Sequence, residues 1–194
     1  MKKFLVLAFL MPVLSFGQMT ELEVRNFIKT ASEMELVIMN SQMMQENYLY
    51  QADIVADKLL SMNPQSSNYN YRKGYVLLVG QMDYQTAMRH FMLAILDVDK
   101  NYDMYSTSEK SASIDAYYHL ARCYHLDEQL DEARKYYQMF IDNSANKSST
   151  KELAELGLLQ CDIAEREIST PKSAIVKNIG TQVNTGFPEY APVV

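Results

Sequence analysis

Four oxygen-bearing side chains, Asp97, Asp99, Asn101 and Asp103, alternate within one short stretch of the 194-residue sequence. Carboxylates and amides at that spacing can wrap a hard cation such as calcium. A calcium loop also needs glycine at its sixth position and a bidentate glutamate at its twelfth, where this chain has Tyr102 and Ser108. The stretch reads instead as a solvated loop between helices. His90, His119 and His125 form no i, i+4 pair and lie beside no cysteine or acid at zinc spacing, so they read as packing or surface residues. No Gly-rich phosphate loop, no G-x-S-x-G and no Cys/His arrangement with a third orienting group occurs. The expectation is therefore no metal, no cofactor, no small-molecule substrate and no catalytic residue.

Charge narrows the partners. The formal net charge is −6, from 18 basic and 24 acidic residues. Removal of the first 18 residues, which hold two lysines, would bring it to about −8. Phosphate binding needs a basic footprint, and no Lys/Arg cluster supplies one, so nucleic acid is excluded as a partner.

The N-terminus has the composition of a secretory signal peptide. Met1-Lys2-Lys3 precedes an apolar run from Phe4 to Met11, with Ser15 and Gly17 as small residues near a cleavage point. That run is too short to span a bilayer, and no second apolar span follows. Residues 1–18 are thus expected to be removed on export to the periplasm. In an oxidising compartment Cys123 and Cys161 could pair, but each sits in an apolar helical pattern, where a free cysteine behaves as a small hydrophobe.

The elements that position these side chains are helical. No proline occurs between Gln65 and Thr170, and no strand-like alternation bounded by turns appears there. Thr20 with Glu23, Ser106 with Glu109 and Ser149 with Glu152 have the spacing of capping boxes and mark three expected helix starts. Self-similarity is more informative. From Ser113 to Asn146, Tyr117, Leu120, Ala121 and Tyr124 are followed by Ala133, Tyr137 and Phe140. The small residues let two helices approach closely while the aromatics fill the space between hairpins. An earlier unit repeats the second half in Ala87, Phe91 and Ala94, with Tyr71 and Gly74 upstream, provided that the turn around Gly80-Gln81-Met82-Asp83 holds one extra residue. The first unit, Glu33 to Gln65, has Leu36, Met39 and Met43, then Ala52, Ala56 and Leu59, but Asn40 at its small position. A final amphipathic helix, Thr150 to Ile168, carries Leu153, Leu156, Gly157, Leu159, Cys161 and Ala164 and is expected to cover the last apolar face.

This pattern resembles the tetratricopeptide family over roughly residues 30–168. The resemblance implies an all-α fold of about three helix-hairpin repeats with a capping helix, a repeat domain at 19–168, a linker at 169–174 and a non-helical tail at 175–194. Such repeats bind extended peptides or partner loops on the concave face of their first helices. The repeat register places Val37, Ser41 and Met44 of the first unit, Tyr75 of the second, and Tyr118, Arg122 and His125 of the third on that face. The segment from Asp97 to Ser113 lengthens one connection and is the expected place of departure from a regular superhelix.

In the tail, Asn178-Ile179-Gly180, Val183-Asn184 and Phe187-Pro188-Glu189-Tyr190-Ala191-Pro192 resemble the entry into a WD40-like periplasmic β-propeller. Exported proteins in which tetratricopeptide repeats precede such a propeller and an OmpA-like domain belong to outer-membrane type IX secretion and gliding machinery. That resemblance implies a chain which is the N-terminal part of a longer protein. Peptidoglycan binding does not carry over, because no residue here corresponds to an OmpA-like domain. The functional expectation is a non-catalytic, envelope-associated periplasmic scaffold with protein partners. Its rivals are a self-contained periplasmic adaptor with a disordered or strand-donating tail, and an enzyme whose site has no recognisable motif.

Overall fold

The computed structural model describes residues 19–144 and 149–170. The expected signal peptide, most of the linker and the propeller-like tail lie outside the described residues. Those residues form helices α1 (Glu21–Phe27), α2 (Glu33–Gln45), α3 (Leu49–Met62), α4 (Ser67–Tyr75), α5 (Tyr84–Ala94), α6 (Asp115–Leu126), α7 (Leu130–Asn143) and α8 (Ser149–Ser169). A π-helical turn, Val76–Gln81, continues α4. Two short strands, β1 (Val98–Asp99) and β2 (Ala112–Ser113), pair in parallel between α5 and α6. The fold is all-α, with α2 packed on α3, α4 on α5, α6 on α7, and α8 closing the row against α7.

Local chemistry explains the starts. Thr20 and Ser32 each cap a helix through a reciprocal box, with Glu23 and Glu35 reaching back to the cap main chain. The expectation at Thr20 holds, and α8 begins at Ser149 as expected. Ser106 with Glu109 starts no helix. Residues 107–113 carry no large apolar side chain to bury, so a capping pattern there has no helix face to support, and the Glu109 carboxylate instead accepts from the Ser111 N–H at 2.9 Å.

The three hairpins share one geometry. Each turns through a residue of positive φ, Asn47 at 64°, Met82 at 58° and Glu128 at 58°. Each of these lies five positions ahead of a fully buried alanine on the second helix, Ala52, Ala87 or Ala133. On the first helix, Asn40 and Ala121 lie seven positions before the turn residue, whereas Gly74 lies eight before it. The additional residue of the second hairpin is absorbed by the π turn, whose wider i to i+5 bonding includes Met82 N–H to the Leu77 carbonyl.

At the small position of that hairpin, a Cβ on Gly74 would stand 2.9 Å from the buried Phe91 ring, so the close approach of α4 and α5 requires glycine. In the first hairpin Asn40 occupies the small position without leaving a polar group stranded. Its amide donates to the Ala52 carbonyl at 2.8 Å, and its oxygen accepts from Arg72.

The closing helix departs from expectation. Ala154, Gly157 and Cys161 face the core, while Leu153, Leu156 and Leu159 are exposed. The reason is the bulk of α7: a Cβ on Gly157 would lie 2.5 Å from the Tyr137 ring, so only a stripe of small residues can approach it.

Candidate binding groove

The fully buried guanidinium of Arg72 on α4 joins α2, α4 and the segment between β1 and β2. Its Nε donates to Asn68 Oδ1 at 2.8 Å, Nη1 to Asn40 Oδ1 at 3.0 Å and to Ser41 Oγ at 2.9 Å, and Nη2 to the Met104 carbonyl at 2.6 Å. Among the described residues Arg72 makes no ion pair. Neutral oxygens satisfy this cation, as burial of a charge demands.

Met104 belongs to the segment between β1 and β2, which folds back over α2 and α4. Asn68 anchors the same segment, donating from its N–H to the Lys110 carbonyl at 3.1 Å and from its side chain to the Glu109 carbonyl at 2.9 Å. Tyr102 donates its hydroxyl to Asn68 Oδ1 at 2.9 Å. The alternating acids of this segment serve its turns: Asp99 accepts from the Asn101 N–H at 2.8 Å and Asp103 from the Tyr105 N–H at 2.9 Å.

This insert corrects part of the expected peptide groove. Val37, Ser41 and Met44 are all buried, and the Ser41 hydroxyl is engaged by the carbonyls of Val37 and Met104 and by Arg72. Ser41 lies directly beneath the insert, Val37 is enclosed in the hydrophobic core, and Met44 is left as a wall of a cleft that Met104 also lines, so the three do not form one open peptide face. Sequence periodicity assigns a helix face but says nothing of what a distant loop lays upon it. Tyr75 is half-buried, and with Met44 it lines a cleft beneath the insert.

The third unit remains open. Tyr118, Arg122 and His125 on α6 are brought together, all half-buried, around a cleft of about 310 Å³ between α6, α7 and α8. Arg122 stands 5.9 Å from the Tyr118 ring centroid, and His125 Nδ1 lies 3.4 Å from the Tyr137 hydroxyl. Burial holds the His125 imidazole below its ordinary pKa. The opposite wall is Leu153, Leu156, Gly157 and Gln160 of α8, with Leu126 at the rim. Sequence reasoning missed this wall, having assigned those leucines to the interior. The available signal was the small-residue stripe Ala154, Gly157 and Cys161, which competes with the leucines for the buried side.

His119 sits behind this face, ringed by Phe91 at 5.5 Å, Tyr75 at 5.4 Å and Tyr118 at 5.3 Å between centroids. Burial drives its pKa down to about 3, and among the described residues its Nδ1 has no hydrogen-bond partner. Cys123 and Cys161 are free and buried, and burial raises the Cys123 thiol to about 12, which removes it from thiolate chemistry near neutral pH. Among the described residues no three His, Cys, Asp or Glu side chains are placed to hold a metal, and no helix is long and apolar enough to cross a membrane.

No protein-family model matches the chain, and no curated protein matches it.

Proposed function

We propose that this chain is a non-catalytic protein-binding scaffold of the tetratricopeptide kind, exported to the periplasm, where it works in an envelope-associated secretion or gliding assembly. The observation that carries the binding role is the open cleft between α6 and α8. It combines tyrosine rings and a guanidinium, residue types that anchor a partner segment, with exposed leucines that add apolar surface around them. Two features support the scaffold reading: three hairpins that share one turn geometry, and a leader with the composition of an export signal. The partner suited to the cleft is an extended segment offering apolar side chains to Leu126, Leu153 and Leu156 and an acceptor to Arg122.

The test is site-specific photo-crosslinking in intact cells, from position 156 or 160 in the cleft and from the exposed Gln138 on α7. A discrete envelope protein captured from the cleft positions and not from Gln138, and lost in Arg122→Glu with an unchanged melting curve, is the expected result. Equal capture from both faces, or none from the cleft, would overturn the reading.

A further inference from the structure

We propose that the cleft beneath the insert is a receptor for an alkylammonium group, the head of a lysine side chain or of a free amine, held by Asp115 among the rings of Tyr71, Tyr75 and Tyr102. The cleft, about 440 Å³, is built from four parts of the chain that are distant in sequence. Tyr71 and Tyr75 stand one turn apart on α4. Tyr102 comes from the insert and meets Tyr71 edge-on at 5.5 Å between centroids. Met44 of α2 and Met104 of the insert add polarisable walls, and Asp115 lies at the start of α6.

The lining of this cleft carries one charge, and the Arg72 guanidinium lies behind its Met104 and Tyr102 walls. Asp115 is the lone Asp, Glu, Lys, Arg or His side chain lining it; it also borders a second cleft that Lys100 lines, and among the described residues it makes no ion pair with Lys100 or any other cation. Burial pushes its carboxyl pKa up, opposed only in part by the Ser113 hydroxyl. The N-terminus of α6 and the Ser113 hydroxyl compensate this half-buried carboxylate in part, and a bound cation would pair it directly. Tyrosine faces are electronegative and attract an ammonium group in the same way. An anion would meet both Asp115 and the ring faces unfavourably, and a neutral ligand would desolvate Asp115 without pairing it. His119 packs against both Tyr71 and Tyr75, and burial keeps it neutral, so it is no competing cation. The overall charge of −6 favours approach of a cation from solution.

The walls are held before any ligand arrives. The Tyr102 hydroxyl is tied to Asn68, and the Met104 carbonyl is gripped by Arg72 and Ser41. The ordering cost of two walls is therefore met when the chain folds, which leaves more of the contact energy for binding.

The test is methyl NMR on the purified chain labelled at its 13 methionines, titrated with n-butylammonium, Nα-acetyl-lysine amide or n-butanol. Saturable shifts at Met44 and Met104 with either ammonium compound, and not with n-butanol, are expected. Tighter binding of the lysine derivative assigns a peptide side chain as the source, and tighter binding of n-butylammonium assigns a free amine. Asp115→Asn should weaken binding at least about tenfold. Tyr75→Leu should weaken it about fivefold, while Tyr75→Phe, which keeps the ring, should retain it. Equal binding of n-butanol, no saturable shift with either ammonium, or wild-type affinity in Asp115→Asn or Tyr75→Leu would overturn the proposal. The methionine spectrum reports whether each variant is folded. No arm touches Arg122 or His125, so the result stands apart from the protein-binding groove between α6 and α8.

Discussion

Arg72 Nη2 and the Met104 main-chain carbonyl meet at 2.6 Å, and this bond fastens the insert to α2 and α4. Removing the guanidinium leaves the buried Asn40 oxygen without its donor and takes one of two donors from Asn68 Oδ1 and from the Met104 carbonyl. Arg72→Ala is therefore expected to cost about 3 kcal/mol or more. Arg72→Lys, whose compact ammonium cannot reach all of these oxygens, should cost about 2 kcal/mol. Urea unfolding measures both, and hydrogen exchange in residues 97–113 should accelerate in each. Losses within about 0.5 kcal/mol would show that the insert is held by something else.

Gly157→Ala should destabilise although alanine is the better helix former. Helix propensity favours the change by about 1 kcal/mol, but the new methyl carbon would lie 2.5 Å from the Tyr137 ring, which is only 3% exposed and has little room to move. Overpacking of this kind costs about 1–3 kcal/mol, and the same sign holds for Gly74→Ala against Phe91. A rise in melting temperature in either variant would contradict the packing described.

Deleting Val79 tests the π turn. The deletion removes the additional residue of the second hairpin and restores the spacing between Gly74 and Ala87 found in the other two. The turn should revert to α-helix with a loss below about 2 kcal/mol, because the displaced side chain is 37% exposed. Deleting Cys123, at a regular and fully buried position of α6, should unfold the third hairpin. Circular dichroism with thermal melting distinguishes the two. Equal damage from both deletions would show that the π turn is not a register device.

Stability should fall with acid on account of His119. Its folded pKa, about 3, lies below the ordinary value of 6.5, so the unfolded chain takes up the proton first. The contribution of the neutral ring is complete above pH 6.5 and is lost as pH falls from there towards 3, at about 1.4 kcal/mol per pH unit. Chemical unfolding between pH 7 and pH 5 should show this slope, and His119→Phe should flatten it in part. The remainder belongs to His90 and His125, which burial also holds low. Parallel curves for wild type and variant would refute the assignment.

Much of the fold was legible because helices and hairpins obey local rules. The spacing of Ala121 and Ala133, and of Gly74 and Ala87, marks where backbones approach, and the Thr20 box marks a start. Ser32 with Glu35 was equally readable and was overlooked. The Ser106 box misled because capping chemistry needs an apolar face behind it. On α8 the leucines misled because burial is decided by the partner surface, and the Tyr137 ring admits only Gly157 and its small neighbours.

Within the candidate groove, periodicity placed Tyr118, Arg122 and His125 together, because residues three and four apart share a helix face whatever the rest of the chain does. It could not place Leu153 and Leu156 opposite them, nor show that Ser41 and Met44 lie against the insert while Val37 is enclosed in the core. The amino-acid sequence by itself determined the helices, the hairpin count and the register, since these follow from propensity, caps and side-chain size between near neighbours. Only the tertiary structure decided which of the expected site residues stay open, because that rests on Arg72 and Asn68 finding main-chain carbonyls some 30 to 40 residues away, and no local pattern encodes such a pairing.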